Sequence, residues 1–558
     1  MTMKVIFHFL ATLCFTLVQA NDGPYKNINL QADVCVYGAS AAGIMSAVAA
    51  AREGNSVIII EPVEKIGGLL GSGFRMQQDA PTGAHLGGLT GNYYKKDVAQ
   101  PPLKHYQAAS QFNISTLQAL IKEYGKLITV HTNHRVVSAQ VVKGRITEAV
   151  FEYAPPGKNG VPIPKRAFGD LIIVQSKIFI DASYEGDLMA LAKVTYRVGK
   201  ESKKEYGESL AGTVLSRTFP GVDPYLEKGN PESGLLSCIQ PDPFGEEGEA
   251  SRFFMSYNFK LAWEPDPNEK ETGAVIMAPE KKNKDVYELL KRYSEAGYKL
   301  SWPEENFNRR ELMTGAIPGM QLDYPDGDWE QRSKVWQAYI DHVKTLTDFT
   351  GKDVRFISGI NEETGGWPFL YIRGGRRLVG EYVMTQQDIQ LQTDVETPIG
   401  MGYYKIDIYP NRLVVLKDGT LAHEGDVFVL ASPGPYRIPY GAIIPKKSEC
   451  ENLIVPLCMS ASHVAYSSIR MESTYMVMGE SAGIAAALAI KQKKAVQNID
   501  RQHLTTMLKN AGQILKWDGQ GYDIGWRSNI FGTPHKETYR WETNPEEYSK
   551  YPVYLLRK

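Results

Sequence analysis

The stretch DVCVYGASAAG at residues 33–43 constrains the fold more than any other part of the sequence. An apolar strand runs into a turn of small residues and then into an Ala-rich helix, which we place from about Ala42 to Glu53. A second strand follows at 56–60, and both strands are too continuously apolar to be half exposed. The pattern predicts a β-α-β unit in the middle of a parallel sheet, with a right-handed crossover.

The turn of this unit has the spacing of a dinucleotide-binding motif, with Ser40 in the position of the middle glycine. The first glycine permits a tight turn, the small middle residue lets the backbone approach a diphosphate, and the third lets helix and strand pack. At the end of the second strand, Glu61 can accept both hydroxyls of a ribose. The predicted contacts in this unit are Gly38, Ser40, Ala41, Ala42, Gly43 and Glu61. The alternative is a glycine turn in an α/β domain that binds no nucleotide.

Two further glycine-bearing turns favour FAD over NAD. The pair Gly67-Gly68 closely follows Glu61, and DASYEGD at 181–187 offers another close approach of backbone to ligand. The extended diphosphate and ribityl chain of a flavin would run past such turns, whereas simple NAD domains rarely need them. The further predicted FAD contacts are Gly67, Gly68, Val136, Asp181, Ala182, Ser183, Gly186 and Asp187.

The 558 residues exceed what one core usually organises. From Leu127 the pattern changes to alternating strands with a Lys143-Gly144 hairpin turn, which predicts a β-meander. Between about Gly207 and Gly425 the chain has longer loops and five of its eight tryptophans, which predicts an inserted lobe. The predicted fold class is α/β, with a cofactor domain at 22–206 and 425–500, an inserted α+β substrate domain at 207–424, and a C-terminal extension at 501–558.

The first twenty residues predict export. A lysine at position 4 precedes an apolar run from Val5 to Val18, and Val18-Gln19-Ala20 suits a signal peptidase. We therefore expect a signal peptide at 1–20, cleavage near Ala20, and a periplasmic or extracellular protein; the alternative is an uncleaved anchor. No later stretch has the uninterrupted apolar length of a membrane span, so we expect none in the mature chain.

The composition of the chain argues against nucleic-acid binding, a disulfide framework and a metal site. Lys and Arg number 62 and Asp and Glu number 63, and this balance argues against a nucleic-acid partner held by bulk charge. Four cysteines follow Ala20, too few to be the disulfide framework of so long a chain, and the sequence does not fix their pairing. The histidines His131 and His134 lack a third ligand at metal-binding spacing, so no metal site is predicted.

Longer stretches carry a family resemblance. They are GASAAG with IIIEP and GG, then DASYEGDLMALAKVTYRVGKES, then SASHVAYSSIRMESTYMVMGESAGIAAALA, and the basic segment YIRGGRRLVGEY at 371–382. Together they resemble FAD-dependent oxidoreductases of the glutathione-reductase type, the branch related to the flavoprotein subunits of fumarate reductase and succinate dehydrogenase, and particularly its exported bacterial members. The resemblance implies a Rossmann-type domain that binds FAD covalently or noncovalently.

The resemblance also implies that a helix beginning near Gly479 points its N-terminus at the flavin, where it would stabilise negative charge. The residues expected on the flavin side are Gly479, Ser481, Ala482 and Gly483. The alternative is a small-residue helix buried against the sheet. The sequence GAHLGG around His85 matches the covalent attachment pattern of some relatives poorly.

Absent motifs exclude two related classes. No Cys-x-x-Cys or Cys-x4-Cys pair follows Gly67-Gly68, so the redox disulfide of disulfide reductases is missing. No second strand-plus-glycine fingerprint is present in the middle of the chain, which argues against a dedicated NAD(P)H domain. We therefore expect electrons to enter and leave at one face of the flavin.

The candidate catalytic residues are His463, Arg470 and Glu472. His463 would take or give the heteroatom proton during hydride transfer, and Arg470 could hold a carboxylate or stabilise an alkoxide. Arg470 and Glu472 could instead simply pair with each other. The cluster Arg373, Arg376 and Arg377 could reach the substrate or form a solvated positive face.

These residues predict an oxidoreductase that transfers hydride between a small organic substrate and flavin N5, with an external electron acceptor. A sugar or another alcohol is the first substrate class to consider. Reduction of an unsaturated substrate and a non-catalytic binding protein of the cell envelope are the alternatives. A polysaccharide lyase or hydrolase has no paired acid motif to support it.

Overall fold

The computed structural model describes residues 26–73, 85–99, 106–259, 261–263, 272–298, 317–351, 354–429 and 434–517. The predicted signal peptide and most of the predicted C-terminal extension lie outside the described residues. The strands are β1 (Asn27–Tyr37), β2 (Val57–Ile60), β3 (Ile128–His131), β4 (His134–Val142), β5 (Arg145–Tyr153), β6 (Leu171–Asp181), β7 (Tyr196–Arg197), β8 (Leu215–Phe219), β9 (Ala262–Trp263), β10 (Thr272–Val275), β11 (Val354–Ile357), β12 (Arg377–Leu378), β13 (Pro398–Gly402), β14 (Ile406–Val415), β15 (Leu421–Val429), β16 (Tyr436–Pro439) and β17 (Leu453–Ile454).

The helices alternate with these strands in the first lobe, and the two longest helices of the insert lie in its middle part. They are α1 (Ala41–Arg52), α2 (Gly68–Gly71), α3 (Gly88–Ala99), α4 (Tyr106–Glu123), α5 (Asp187–Leu191), α6 (Lys203–Tyr206), α7 (Lys284–Glu295), α8 (Trp329–Thr350), α9 (Gln386–Ile389), α10 (His463–Ile469), α11 (Glu472–Gln492) and α12 (Arg501–Asn510).

A mixed sheet organises the first lobe, in the order β3-β2-β1-β6-β5-β4, and β17 pairs with β6. The pairs among β3, β2, β1, β6 and β17 are parallel, whereas β5 and β4 run antiparallel as a hairpin. The register puts Tyr37 opposite both Ile60 and Asp181. Three predicted ligand-binding turns therefore begin at the same edge of the sheet, which is the binding edge of parallel α/β sheets. The α/β fold class with its parallel unit and meander is confirmed.

A second hydrophobic core lies in the insert, around α8 and the three-stranded sheet β14-β15-β8. Its aromatic side chains pack edge to face, with Phe259 5.1 Å from Trp367 and 6.0 Å from Trp336 between ring centroids. The predicted domain boundary between 424 and 425 falls inside β15, which pairs with β14 and β8 rather than with the first sheet. The alternating pattern of β15 alone cannot say which sheet it joins, because partner choice depends on distant strands.

The helix expected to begin near Gly479 begins at Glu472, so that prediction of its start was wrong. Gly479 and Gly483 lie inside α11, where it crosses α1. A Cβ on Gly479 would collide with Ala42 O, and Ser46 Oγ donates hydrogen bonds to both Ala42 O and Gly479 O, each at 2.9 Å. The small residues therefore permit two helices to touch along their backbones, whereas the alternative interpretation had placed this helix against the sheet.

Among the described residues, α11 is the helix long and apolar enough to cross a membrane, and 94% of its apolar window is buried within the protein. Its surface is thus occupied by contacts with α1, α3 and β13. The four cysteines after Ala20 are free thiols, and the three at 35, 450 and 458 are buried.

Candidate active site

The first turn is built around a glycine at which a side chain would strain the backbone and collide with the next turn. Gly38 has φ +95°, and a Cβ there would lie 2.6 Å from Ala182 O in the turn after β6. Ser40 Oγ donates to the same Ala182 O at 2.8 Å and accepts from Gly43 N at 3.2 Å, which caps α1. Ser40 therefore ties two turns together, a role the motif spacing did not predict. The remaining free N–H groups at the start of α1 can meet a phosphate.

Glu61 lies where the sequence placed it, at the end of β2. Its carboxyl oxygens accept hydrogen bonds from Ala39 N at 2.5 Å and from Val63 N at 3.1 Å. Burial raises the pKa of Glu61 to about 8, against these two hydrogen bonds. Hydroxyl donors from a ribose would favour the ionised carboxylate, so this side chain fits the adenosine end of a dinucleotide.

The second glycine turn brings the loop after β2 against the first turn. Gly67 N donates to Ala39 O at 2.7 Å. Gly68 has φ +55°, and a Cβ on it would lie 2.5 Å from Tyr184 Oη. Tyr184 Oη accepts from Leu69 N at 3.2 Å and donates to Glu472 Oε1 at 2.7 Å. This tyrosine thus links the second turn to the start of α11.

In the third turn, Asp181 and Asp187 both accept hydrogen bonds from other groups of the protein. Asp181 accepts from Ser183 N and Oγ and from Met189 N at 2.6–3.1 Å, so its carboxylate shapes the turn. Ser183 Oγ also accepts from Gly186 N at 3.0 Å. These internal contacts leave the Ala182 and Ser183 backbone at the cavity wall.

Asp187 joins the first lobe to the insert. Its carboxylate receives two hydrogen bonds from Arg332 of α8, both at 2.7 Å, and one from Arg376 at 2.6 Å. Burial would raise the pKa of Asp187, but the two arginines outweigh it and bring that pKa to about 2. Arg376 and its neighbours Arg373 and Arg377 are buried, so the interpretation of this cluster as a solvated positive face was wrong.

A cavity opens where these turns face the insert, and it encloses about 810 Å³ of empty space, part of it continuous with solvent. One wall carries the motif residues Gly38, Ser40, Glu61, Gly68, Ala182 and Ser183. The opposite wall carries aromatic and aliphatic side chains of the insert, among them Tyr324, Trp329, Trp336, Leu370 and Ile372. Val136 donates its N–H to Tyr37 Oη at 3.4 Å, and its neighbour Arg135 lines the cavity. The mixture of apolar side chains and residues of the glycine-bearing turns in its walls fits a cofactor site.

Two of the three predicted catalytic residues, Arg470 and Glu472, lie at the junction of α10 and α11. Arg470 ends α10 and donates to Tyr371 Oη and to Asp407 O, both at 2.9 Å. Glu472 opens α11 and accepts from Tyr184. Within the described residues Arg470 and Glu472 form no ion pair with each other, so the alternative of a simple mutual pair was wrong.

His463 lies at the other end of α10, about 10 Å from the junction by the rise of a seven-residue helix. Its backbone N and its ring Nδ1 both lie 2.9 Å from Glu201 Oε2. Burial lowers the pKa of His463 to about 4, although Glu201 acts in the opposite direction. Glu201 itself pairs with Arg377 at 2.7 Å.

Glu201 is a site residue that the sequence analysis missed. It belongs to the stretch DASYEGDLMALAKVTYRVGKES that carried the resemblance, but no spacing rule connects it to a histidine far along the chain. Two predicted residues of α11 remain: Ser481 Oγ donates a hydrogen bond to Ile399 O at 2.6 Å, and Ala482 is buried.

Three solved structures to which the chain is similar cover very different shares of it. A geranylgeranyl bacteriochlorophyll reductase-like protein from Thermoplasma acidophilum is 10% identical over 94% of this chain and 90% of its own, with a TM-score of 0.33. The E. coli quinol fumarate reductase subunit FrdA is 12% identical over 87% and 74%, with a TM-score of 0.32. AlpK is 18% identical over 31% of this chain and 35% of its own, with a TM-score of 0.20, so the match spans about a third of AlpK.

No curated protein matches the sequence at a significant level. A family model described as FAD dependent oxidoreductase matches residues 33–508, which include all three ligand-binding turns, the insert and α11. The predicted cofactor and enzyme class are thereby confirmed, and the cavity described above fits them. The chain belongs to the family of FAD dependent oxidoreductases, enzymes that carry FAD.

Proposed function

We propose that the protein is exported after cleavage near Ala20 and oxidises a small organic alcohol, of which sugars are the first class to test, with transfer of the electrons to an external acceptor. Bound FAD would supply the hydride acceptor, N5 of the flavin ring. The remaining requirement of such a reaction is a group that takes the proton from the hydroxyl. The observation that carries the proposed direction is the pairing of His463 with Glu201.

The pairing with Glu201 suits His463 to accept a proton. Arg377 and the hydrogen bonds from His463 hold the pKa of Glu201 below its ordinary value, even though burial acts to raise it. An ionised Glu201 requires the proton of the neutral imidazole to be on Nδ1, which leaves the lone pair on Nε2. Nε2 has no hydrogen-bond partner among the described residues. Because burial keeps the ring neutral near pH 7, Nε2 of His463 is ready to receive a proton, while the one ring proton, on Nδ1, is donated to Glu201.

The aromatic side chains of the insert are a reason to expect a substrate of modest size. Trp329 and Trp336 line the cavity on the side opposite the nucleotide-binding turns, and flat aromatic surfaces commonly pack against sugar rings and other compact organic molecules. The apolar leader at 5–18 supports export. An enzyme that works outside the cytoplasm without a nicotinamide domain needs a separate electron acceptor, which would approach the same flavin.

Reduction of an unsaturated substrate is the second candidate, and Glu185 is the observation in its favour. Glu185 lines the cavity, and burial together with the neighbouring Asp187 raises its pKa to about 7. A carboxyl group of that kind can donate a proton near neutral pH. The two candidates therefore differ in which group handles the proton, His463 or Glu185.

An anaerobic experiment distinguishes these functions. The purified mature protein would be mixed with a panel of sugars and simple alcohols, and oxidation predicts that the flavin absorbance bleaches. Reduction predicts instead that chemically reduced enzyme is reoxidised by unsaturated acids. The variant His463→Ala should slow bleaching while FAD stays bound, whereas the exposed control His503→Ala should behave as wild type. A colourless protein that binds no added FAD would overturn the proposal, and a protein without turnover toward any artificial acceptor would indicate a binding protein.

A further inference from the structure

We propose that Arg373 and Arg470 form a binding site for a carboxylate, so that the substrate of this enzyme is an organic acid that also carries the oxidised group. The inference deepens the proposed function, on which it rests for the statement that the bound acid is the substrate. It begins from a buried arginine that has no anionic partner in the part of the chain that the structure describes. Arg373 is 1% exposed, and only one of its three guanidinium nitrogens, Nη1, has a hydrogen-bond partner, Ser256 O at 3.0 Å.

Arg373 is an exception among the buried arginines that the structure describes. Seven others have an Asp or Glu oxygen within 4.0 Å: Arg135, Arg292, Arg332, Arg376, Arg377, Arg412 and Arg470. Arg373 has none among the described residues. A buried cation without a counterion is costly, and proteins rarely keep one without a ligand or partner to neutralise it.

The two nitrogens without partners are Nε and Nη2 of Arg373. These two nitrogens share one edge of the guanidinium plane, and their N–H groups point in parallel. A carboxylate matches such an edge with two parallel hydrogen bonds, whereas a single carbonyl oxygen or a chloride ion accepts only a converging pair. The free edge therefore favours an anion that presents two oxygens side by side, as a carboxylate does.

Arg470 contributes a second cation beside the same aromatic rings. The guanidinium carbon of Arg373 lies 3.8 Å from the Tyr409 ring centroid and 4.6 Å from that of Tyr371, and the guanidinium carbon of Arg470 lies 5.4 and 5.9 Å from the same centroids. Nε of Arg470 is also buried without a partner. Among the described residues, the carboxylate within 4.0 Å of either arginine is that of Asp407, whose Oδ2 is 3.7 Å from Arg470 Nη2. The pair therefore keeps a surplus positive charge.

Chain neighbours of both arginines reach the cavity, although neither arginine is among the residues that line it. Arg470 immediately precedes α11, and the next residue but one, Glu472, contacts Tyr184 at the cavity wall. Arg373 follows Leu370 and Ile372, which line the cavity. Stacking on tyrosine rings stabilises the faces of the guanidinium groups but leaves their edges open. A hydroxy acid or a sugar acid would combine a carboxylate for these edges with the alcohol that the proposed reaction oxidises.

The test uses acetate as a non-reactive carboxylate and acetamide as its neutral analogue. Acetate should raise the melting temperature of the oxidised holoenzyme and perturb its flavin absorbance, and acetamide should do neither. In Arg373→Met the apparent affinity for acetate should fall about 10- to 100-fold, the loss expected for hydrogen bonds to a charged group. Equal responses to acetate and acetamide, or an unchanged acetate affinity in Arg373→Met, would overturn the proposal.

A matched control variant separates effects on acetate binding from effects on the stability of the protein. Arg412 is as buried as Arg373 and stacks on Phe253 at 3.7 Å, but it pairs with Glu424 at 2.6 Å. Arg412→Met should lower the melting temperature and leave acetate affinity unchanged. Arg373→Met should keep or raise the melting temperature, because it removes an unpaired buried charge. If Arg373→Met does not fold, Arg373→Lys keeps the charge without the two-nitrogen edge and should bind acetate about tenfold more weakly.

One outcome assigns the arginines to the cofactor instead. If Arg373→Met weakens the binding of FAD to the stripped protein and leaves acetate affinity unchanged, the anion is on the flavin and the proposal is wrong. Acetate stabilisation can also be measured by thermal unfolding of a preparation without flavin. A failure of the proposed redox function and a failure of the carboxylate site therefore give different results.

Discussion

Arg377 Nη2 lies 2.7 Å from Glu201 Oε1. The second oxygen of the same carboxylate, Oε2, accepts hydrogen bonds from the backbone N and the ring Nδ1 of His463, each at 2.9 Å. The arginine thus keeps Glu201 ionised, and Glu201 determines which ring nitrogen of His463 carries the proton. This arrangement predicts that Glu201 acts through the histidine, as a positioning residue.

The variant Glu201→Gln should slow flavin reduction about 10- to 100-fold, because a neutral amide orients the ring without strengthening it as a base. The wild-type rate should fall as pH decreases toward the His463 pKa of about 4, since a protonated ring accepts no proton. In Glu201→Gln that acidic limb should move to lower pH, which stopped-flow reduction over a pH series measures. Glu205→Gln, which removes a partly exposed partner of Arg197, serves as control and should keep the wild-type rate and profile. An acidic limb at the same pH in both variants would exclude the positioning role.

The FAD-free protein should lose stability as pH rises from about 5 to 8, and Glu61 should account for part of the loss. Burial raises the pKa of Glu61 in the folded chain to about 8, above its ordinary value of 4.5, so the folded state binds the extra proton and releases it only at high pH. The effect of this one group is at most on the order of 4 kcal/mol. Glu61→Gln should flatten the dependence, and the exposed neighbour Glu64→Gln should not. Chemical unfolding of both variants at several pH values checks the sign, and a slope in Glu61→Gln equal to wild type would contradict it.

Asp187→Asn should destabilise the fold by about 3–5 kcal/mol, because it leaves Arg332 and Arg376 buried without their shared carboxylate. Asp326 provides a matched control, since it pairs with the same Arg376 at 2.9 Å but its side chain is 59% exposed. Asp326→Asn should cost less than about 1 kcal/mol. Urea unfolding monitored by tryptophan fluorescence compares the two. Equal losses would show that the Asp187 cluster does not depend on burial.

Gly479→Ala should lower the free energy of unfolding by about 1–3 kcal/mol, because the new methyl group has no room between α11 and α1. Gly245→Ala is the control, since its Cβ would meet nothing nearer than 3.7 Å at an exposed site and should change stability by less than about 0.5 kcal/mol. Thermal and chemical unfolding measure both. An unaffected Gly479→Ala would mean that the two helices can move apart at little cost.

The sequence was most informative about elements that depend on residues close together in the chain. The strand, turn and helix from 33 to 60 follow from apolar runs and glycine spacing, and the structure confirms them as β1, α1 and β2. Glu61 was found because its place at a strand end is fixed by the same unit. In each case the physical cause lies within a few dozen neighbouring residues.

Features that depend on distant partners were beyond the sequence. The buried state of Arg376 and Arg377 depends on Asp187 and Glu201, which precede them by most of the insert. The start of α11 was placed too late because the small residues after Gly479 dominate the pattern, whereas the bulkier residues before it are helical through burial. Tertiary packing commonly overrides local preference in this way.

The close crossing of α1 and α11 joins segments that are far apart in the chain, since Ser46 and Gly479 are separated by 433 residues. During synthesis the Ala-rich surface of α1 is therefore made long before its permanent neighbour leaves the ribosome. Until then that surface is available to chaperones or to other unfinished chains. The first lobe can complete its folding only after the whole insert and α11 have been made.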